Sequence, residues 1–135
     1  MNFKKVVGLA VTTLALNMSI LGDINAASVD LKCEVRGANR SKISVKGAGL
    51  EAGLYITSVK SGTGAEVFAK AHQRPVKAEI ATDYDSNPND ITAGATAIAR
   101  TFIKNGTVRG RIYLYNSTTR LHELLASIKE SCKAK

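Results

Sequence analysis

From Val29 to Arg36 the chain alternates strictly: Val29, Leu31, Cys33 and Val35 are apolar, and Asp30, Lys32, Glu34 and Arg36 between them are charged. A period of two places successive side chains on opposite faces of an extended strand, so the segment predicts a strand with one face in a core. Gly37-Ala38-Asn39-Arg40 interrupts the pattern. It resumes from Ser41 to Lys46 with Ile43 and Val45 inward, and Gly47-Ala48-Gly49 breaks it again. Leu54 to Lys60 predicts a third strand, closed by the turn formers Ser61-Gly62-Thr63-Gly64. Ala65 to Ala71, with Val67, Ala69 and Ala71 on one side, predicts a fourth, and Val76 to Ile80, with Ala78 between them, a fifth.

Beyond an acidic segment, Thr101 to Lys104 forms a short apolar patch and Asn105-Gly106 is a tight-turn signal between extended stretches. From Val108 to Tyr115, Val108, Gly110, Ile112 and Leu114 alternate with Arg109, Arg111, Tyr113 and Tyr115, until Asn116-Ser117-Thr118-Thr119 ends the run. The C-terminal stretch reads two ways. Leu121, Leu124, Leu125, Ile128 and Cys132 keep helical spacing, and local propensity favours a helix there; Leu124, Ala126, Ile128 and Cys132 also fit the inner face of a strand. About seven short strands separated by turn clusters predict an all-β fold, a single immunoglobulin-like β-sandwich whose C-terminal segment is a strand or a short helix.

Residues 1-26 have the organisation of a signal peptide: Lys4 and Lys5, an apolar run from Val6 to Leu16, and small residues at Ala26 and Ala27 for cleavage. Thr12, Thr13, Asn17 and Ser19 interrupt the run, which falls short of the about 20 apolar residues that span a bilayer. The expectation is one domain over residues 27–135, periplasmic or secreted, with no transmembrane span once the leader is removed. Cys33 and Cys132 are the two cysteines of the chain, and in an exported protein an even pair predicts one disulfide that ties its ends together. A metal site built from both cysteines with His72 and His122 lacks a close ligand pair such as C-x-x-C.

The formal net charge of +8 drops by one, to about +7, with the loss of Lys4, Lys5 and Asp23. Such a surface favours anionic partners; outside the cytoplasm these are lipid head groups, envelope polysaccharide and acidic proteins, and nucleic acid is not expected.

Three features, Arg40-Ser41-Lys42-Ile43-Ser44-Val45-Lys46-Gly47, the stretch from Asp83 to Ile98 that contains DSNPNDITAGAT, and the flanking Cys33 and Cys132, resemble a family of small uncharacterised exported bacterial proteins with terminal cysteines and a D-S-N-P-x-D-I-x-A-G-A-T segment. The resemblance implies export and a β fold, and it implies no catalytic residue. It also implies that the segment ending at the last cysteine is a strand. Glu130 and the Leu124-Leu125 pair depart from the family's alternation there, which leaves the helix open.

Two stretches are candidate sites. Asp83, Asp85, Asn87, Asn89 and Asp90 place oxygen donors at alternate positions of a segment with no base between Lys77 and Arg100, a pattern that suits a weak calcium site. Pro88 stands where an EF-hand loop needs glycine, and Gly94 where it needs its bidentate glutamate. The other reading is a turn capped by Asp85 and Asn87 and stiffened by Pro88. Arg109, Arg111, Tyr113 and Tyr115 share one face of a predicted strand and form the candidate anion-binding surface, with charge for a polyanion and rings for stacking.

No nucleophile elbow, H-E-x-x-H or phosphate loop is present. The chain reads as an exported non-catalytic binding domain of the cell envelope that engages an anionic polymer or a protein partner. The alternative is a secreted inhibitor or adhesion-like domain that presents the acidic loop, ordered by calcium, to a protein. An enzyme would require His72 or His122 beside an acid in a cleft.

Overall fold

The structure, a computed structural model, describes residues 27–37 and 39–135; the signal peptide read from residues 1-26 lies outside them. In chain order the elements are β1 (Ser28–Arg36), β2 (Arg40–Ala48), β3 (Leu54–Lys60), β4 (Val67–Phe68), β5 (Ile80–Asp85), α1 (Pro88–Thr92), β6 (Thr96–Ala97), β7 (Thr107–Asn116), β8 (Leu121–Ser131) and β9 (Lys133–Ala134). Two sheets form, with strand orders β9-β1-β2-β5-β6 and β4-β3-β7-β8. The body of one sheet is thus β1, β2 and β5, and of the other β3, β7 and β8. That is the distribution of strands A, B and E against C, F and G in an immunoglobulin sandwich.

Alternation explains why these strands form and which way they face. Leu31 and Cys33 of β1, Ile43 and Val45 of β2, and Ile80 and Tyr84 of β5 meet Tyr55, Val59, Val108 and Ile112 of the other sheet, and all are buried. The Tyr84 phenol crosses the sandwich to the Thr57 hydroxyl, 2.6 Å away. Burial pushes its ionisation above the usual tyrosine range, against the lowering effect of that bond.

Gly110 faces inward on β7, where a Cβ would stand 2.6 Å from Leu31 Cδ1 of β1. Its lack of a side chain sets how closely the layers approach. Gly110→Val is expected to lower stability by about 1–3 kcal/mol through overpacking, measured by urea denaturation at constant m-value; an unchanged midpoint would mean that Leu31 yields freely.

Two predicted strands are corrected. Of Ala65 to Ala71, Val67–Phe68 forms a strand, paired with Val59 and Ser58. Val76 to Glu79 is a tight turn: Lys77 and Ala78 take positive φ of 54° and 65°, and Val76 and Glu79 exchange backbone hydrogen bonds around them. Val76 is accordingly 74% exposed. The strand lies one step later, so Asp83, Tyr84 and Asp85 belong to β5.

The Asn105-Gly106 turn forms as expected, both residues at positive φ. The C-terminal stretch is the strand β8, paired along β7 with a register shift between Ile112 and Tyr113. Ile112 faces Ala126 while Tyr113 faces Leu124, so Leu125 is the extra residue of a β-bulge and packs against the core around Leu50, Tyr55, Ile80 and Ile112. The Leu124-Leu125 pair that breaks simple alternation is this bulge.

After Ser131 the chain crosses between layers. Cys132 bonds Cys33 with 4.7 Å between the Cα atoms, inside the range disulfides require. β9 then pairs parallel to β1 as an edge of the other sheet.

Candidate functional site

The acidic segment folds as a capped turn. β5 carries Asp85 to the end of the sheet, where it is 2% exposed. Arg40 of β2 binds it through both arms, Nε to Oδ1 at 3.0 Å and Nη2 to Oδ2 at 2.7 Å, and the same Nη2 reaches Asp90 Oδ2 at 2.7 Å. The Asn87 N–H donates to Asp85 Oδ1 at 2.9 Å. Burial alone would raise the Asp85 carboxyl, but hydrogen bonds from Arg40 and Asn87, with the charges of Arg40 and Lys42, hold it below the usual carboxylate range. Asn87 caps α1, its side chain accepting from the Asn89 N–H at 2.8 Å, with Pro88 opening the helix.

These partners engage several of the candidate calcium donors within the turn itself. Asp85 and Asp90 share a guanidinium, the Asn87 side-chain oxygen serves the cap, and Asp83 stands exposed on a strand opposite Ser44. Among the described residues no group of three or more His, Cys, Asp or Glu gathers as a metal-ligand set.

The Arg/Tyr stripe is assembled as expected and is larger than the sequence indicates. Arg109, Arg111, Tyr113 and Tyr115 project from the outer face of the β4-β3-β7-β8 sheet, opposite the inward Val108, Gly110 and Ile112. One end of this face is cationic. Arg109 sits between Lys60 on β3 and Lys129 on β8 in direct cross-strand register, and none of the three forms a salt bridge among the described residues. Like charges directly opposite one another are destabilising in a sheet. With Gly62 and Thr107 they line a hollow of about 120 Å³.

The middle of the face is internally neutralised. Glu66 accepts from the Tyr113 hydroxyl at 2.7 Å and from the Ser58 hydroxyl, and lies 3.6 Å from Arg111 Nη1. Partial burial would raise the Glu66 carboxyl, but those two hydroxyls, then Arg111 and Lys60, pull it down. The Tyr113 hydroxyl and the Glu66 charge hold Arg111 protonated more firmly than an ordinary arginine. Arg111 Nε is buried without a hydrogen-bond partner among the described residues.

The far end is aromatic. Tyr115 lies opposite His122 in register, their rings 5.1 Å apart, and His72 packs on Tyr115 at 4.8 Å. Phe68, 42% exposed, stands 5.5 Å from Tyr113 and 6.0 Å from His122. Neither imidazole hydrogen-bonds a carboxylate among the described residues; their partners are each other.

Sequence reasoning missed Lys60, Glu66, Phe68 and Lys129 because each lies on a different element from the stripe. The usable signal was the β7–β8 hairpin: pairing Val108–Tyr115 with the C-terminal run places a lysine beside Arg109 once the strand reading is chosen.

No family model matches the chain, and no curated protein matches it. Among solved structures, the chain is similar to the CARDB domain of the PF1109 protein from Pyrococcus furiosus, solved in complex with di-metal ions. The likeness has 13% identity and a TM-score of 0.37 over 82% of this chain and 93% of that one. At that score the sandwich assignment rests on strand order and pairing within this chain. No helix among the described residues is long and apolar enough to cross a membrane.

Proposed function

We propose that the protein is an exported, non-catalytic binding domain of the cell envelope, periplasmic or secreted, that holds an anionic polymer along the outer face of the β4-β3-β7-β8 sheet. The observation that carries this reading is the row Lys60–Arg109–Lys129, three cations in adjacent register positions that form no salt bridge among the described residues. An unpaired row of this kind works against the sheet's own stability, and a polyanion laid across it removes the repulsion. Tyr115, His72, His122 and Phe68 continue the same face as a shelf of rings on which sugars or other planar groups stack. The disulfide supports export, since such bonds persist in oxidising compartments. The family resemblance of the acidic segment supports it independently.

The test is retention on heparin or lipopolysaccharide as a function of salt. Each cation that contacts a linear polyanion contributes about one to the slope of log affinity against log salt. Arg109→Ala with Lys129→Ala is therefore expected to lower that slope by about two and to elute earlier. Arg111→Ala, whose charge already faces Glu66, should change it less. Equal elution of the parent and the double variant would remove the proposal.

A further inference from the structure

His72 and His122 are 50 residues apart in the chain, yet their Nε2 atoms stand 3.3 Å from each other. The rings meet tip to tip, 7° from parallel with centroids 5.6 Å apart. Both are held by their surroundings. His122 lies in β8 directly opposite Tyr115. His72 precedes Gln73, which exchanges backbone hydrogen bonds of 2.9 and 2.7 Å with Tyr55 of β3. Tyr115 packs against both imidazoles, and Phe68 and Tyr113 flank the second. Both histidines are exposed, so solutes reach the nitrogens.

We propose that this pair is a binding site for a divalent late first-row transition-metal ion, Cu(II) or Zn(II), with the two Nε2 atoms as protein ligands and water completing the coordination. Metal–imidazole bonds are about 2.0–2.1 Å long, so two ligands of a tetrahedral ion stand roughly 3.3–3.4 Å apart. That is the separation present between these nitrogens. With no ion bound, one ring donates its Nε2–H to the other. Binding requires that ring to carry its proton on Nδ1 instead, and each ring to swing until the two lone pairs converge beside the line joining the nitrogens.

Imidazole selects copper, nickel and zinc over calcium and magnesium, and among divalent ions copper binds most strongly. The protein's positive charge opposes any cation, but the opposition is local. Arg109 is six residues along β7 from Tyr115, on the order of 20 Å at strand spacing, which exceeds a Debye length of about 8–10 Å. Arg74 and Arg120, two residues from either histidine in sequence, are exposed to water. Two protein ligands leave the ion exchangeable, which suits capture or presentation of a metal at a surface better than a structural role. This site stands on the histidine geometry alone and does not depend on the polyanion reading.

The experiment uses the untagged, oxidised protein and Cu(II) alone, followed by electron paramagnetic resonance and isothermal titration. One equivalent is expected to bind with two coordinated imidazole nitrogens, and Zn(II) to compete with it. Losing a group that merely orients a metal ligand costs about 10–100-fold in affinity, so His72→Ala and His122→Ala should each cost at least that and leave one imidazole in the spectrum. Circular dichroism measured without metal should show both variants folded as the parent, with at most a small drop in Tm, because the side chains are exposed. Variants that bind Cu(II) as tightly as the parent, or a parent spectrum without imidazole nitrogens, would overturn the proposal.

Discussion

Asp85→Ala is expected to destabilise the protein by about 2–3 kcal/mol at neutral pH. The substitution removes an acceptor of three hydrogen bonds, two from Arg40 and one from the Asn87 N–H. Bonds to charged groups contribute about 1.5–3 kcal/mol each, and losses within one network are not additive. The half-buried Asp90 still holds one arm of Arg40, which limits the loss. The pH dependence gives a sharper signature. Because the Asp85 carboxyl titrates below its unfolded value of about 3.9, its contribution is present in full above that value. It is lost as pH falls through the lower, folded value, since there unfolding takes up a proton. Urea denaturation of the parent and of Asp85→Asn should therefore differ most at neutral pH and converge in acid. A gap that stays constant from neutral pH down to pH 3 would show that the ionised carboxylate is not the source.

The same ion pair marks a boundary of what local reading conveys. Between Lys77 and Arg100 the chain carries no base, so residues 79–90 look like an isolated acidic corner suited to a metal ion. In the sandwich β2 lies antiparallel to β5, which sets Lys42 opposite Asp85 and brings Arg40 onto it, while Lys46 pairs with Glu79 at 3.4 Å. The counter-charges come from residues 33 to 50 positions earlier, and no window along the chain reveals them. The individual strands were legible because alternation is a local consequence of one buried face, as in Val29–Arg36 and Val108–Tyr115. Their edges were less so. Ala78 matched the apolar pattern of a strand, yet a turn with positive φ holds it, because an alanine in a turn leaves the same pattern as an alanine in a core.

The outer face divides in the same way. Arg109, Arg111, Tyr113 and Tyr115 were legible as one face from the period of two alone. Their separate fates were not. Glu66 comes from the loop before β4 to quench Arg111, whereas Lys60 and Lys129 arrive by strand register to reinforce Arg109. Electrostatically, the face therefore has one open cationic end, with its centre of charge at Arg109.

Replacing Cys33 and Cys132 together by alanine should have the largest effect of all, about 4 kcal/mol, against the oxidised parent. The bond closes a loop of 99 residues, and the chain-entropy model gives about 4–5 kcal/mol for a loop of that length, within the 2–5 kcal/mol typical of natural disulfides in small exported domains. The native contacts at the crossing point the same way. Cys33 lies in the core with Leu31, Val45 and Val108, and beyond Cys132 the edge is held by the short parallel pairing of Lys133 and Ala134 with Glu34 and Val35, extended by Lys135 N–H to Val35 O at 2.8 Å and Gly37 N–H to Lys135 O at 3.2 Å. Without the sulfur bridge, β9 has no side-chain anchor in the core and should detach from β1 before the sandwich opens. Hydrogen exchange should then show fast exchange of the Lys135 amide in the variant at a urea concentration where the Ile43 and Val45 amides remain protected. Equal urea midpoints for the variant and the oxidised parent would mean that the two sheets hold together without the clamp and that the bridge adds no net stability.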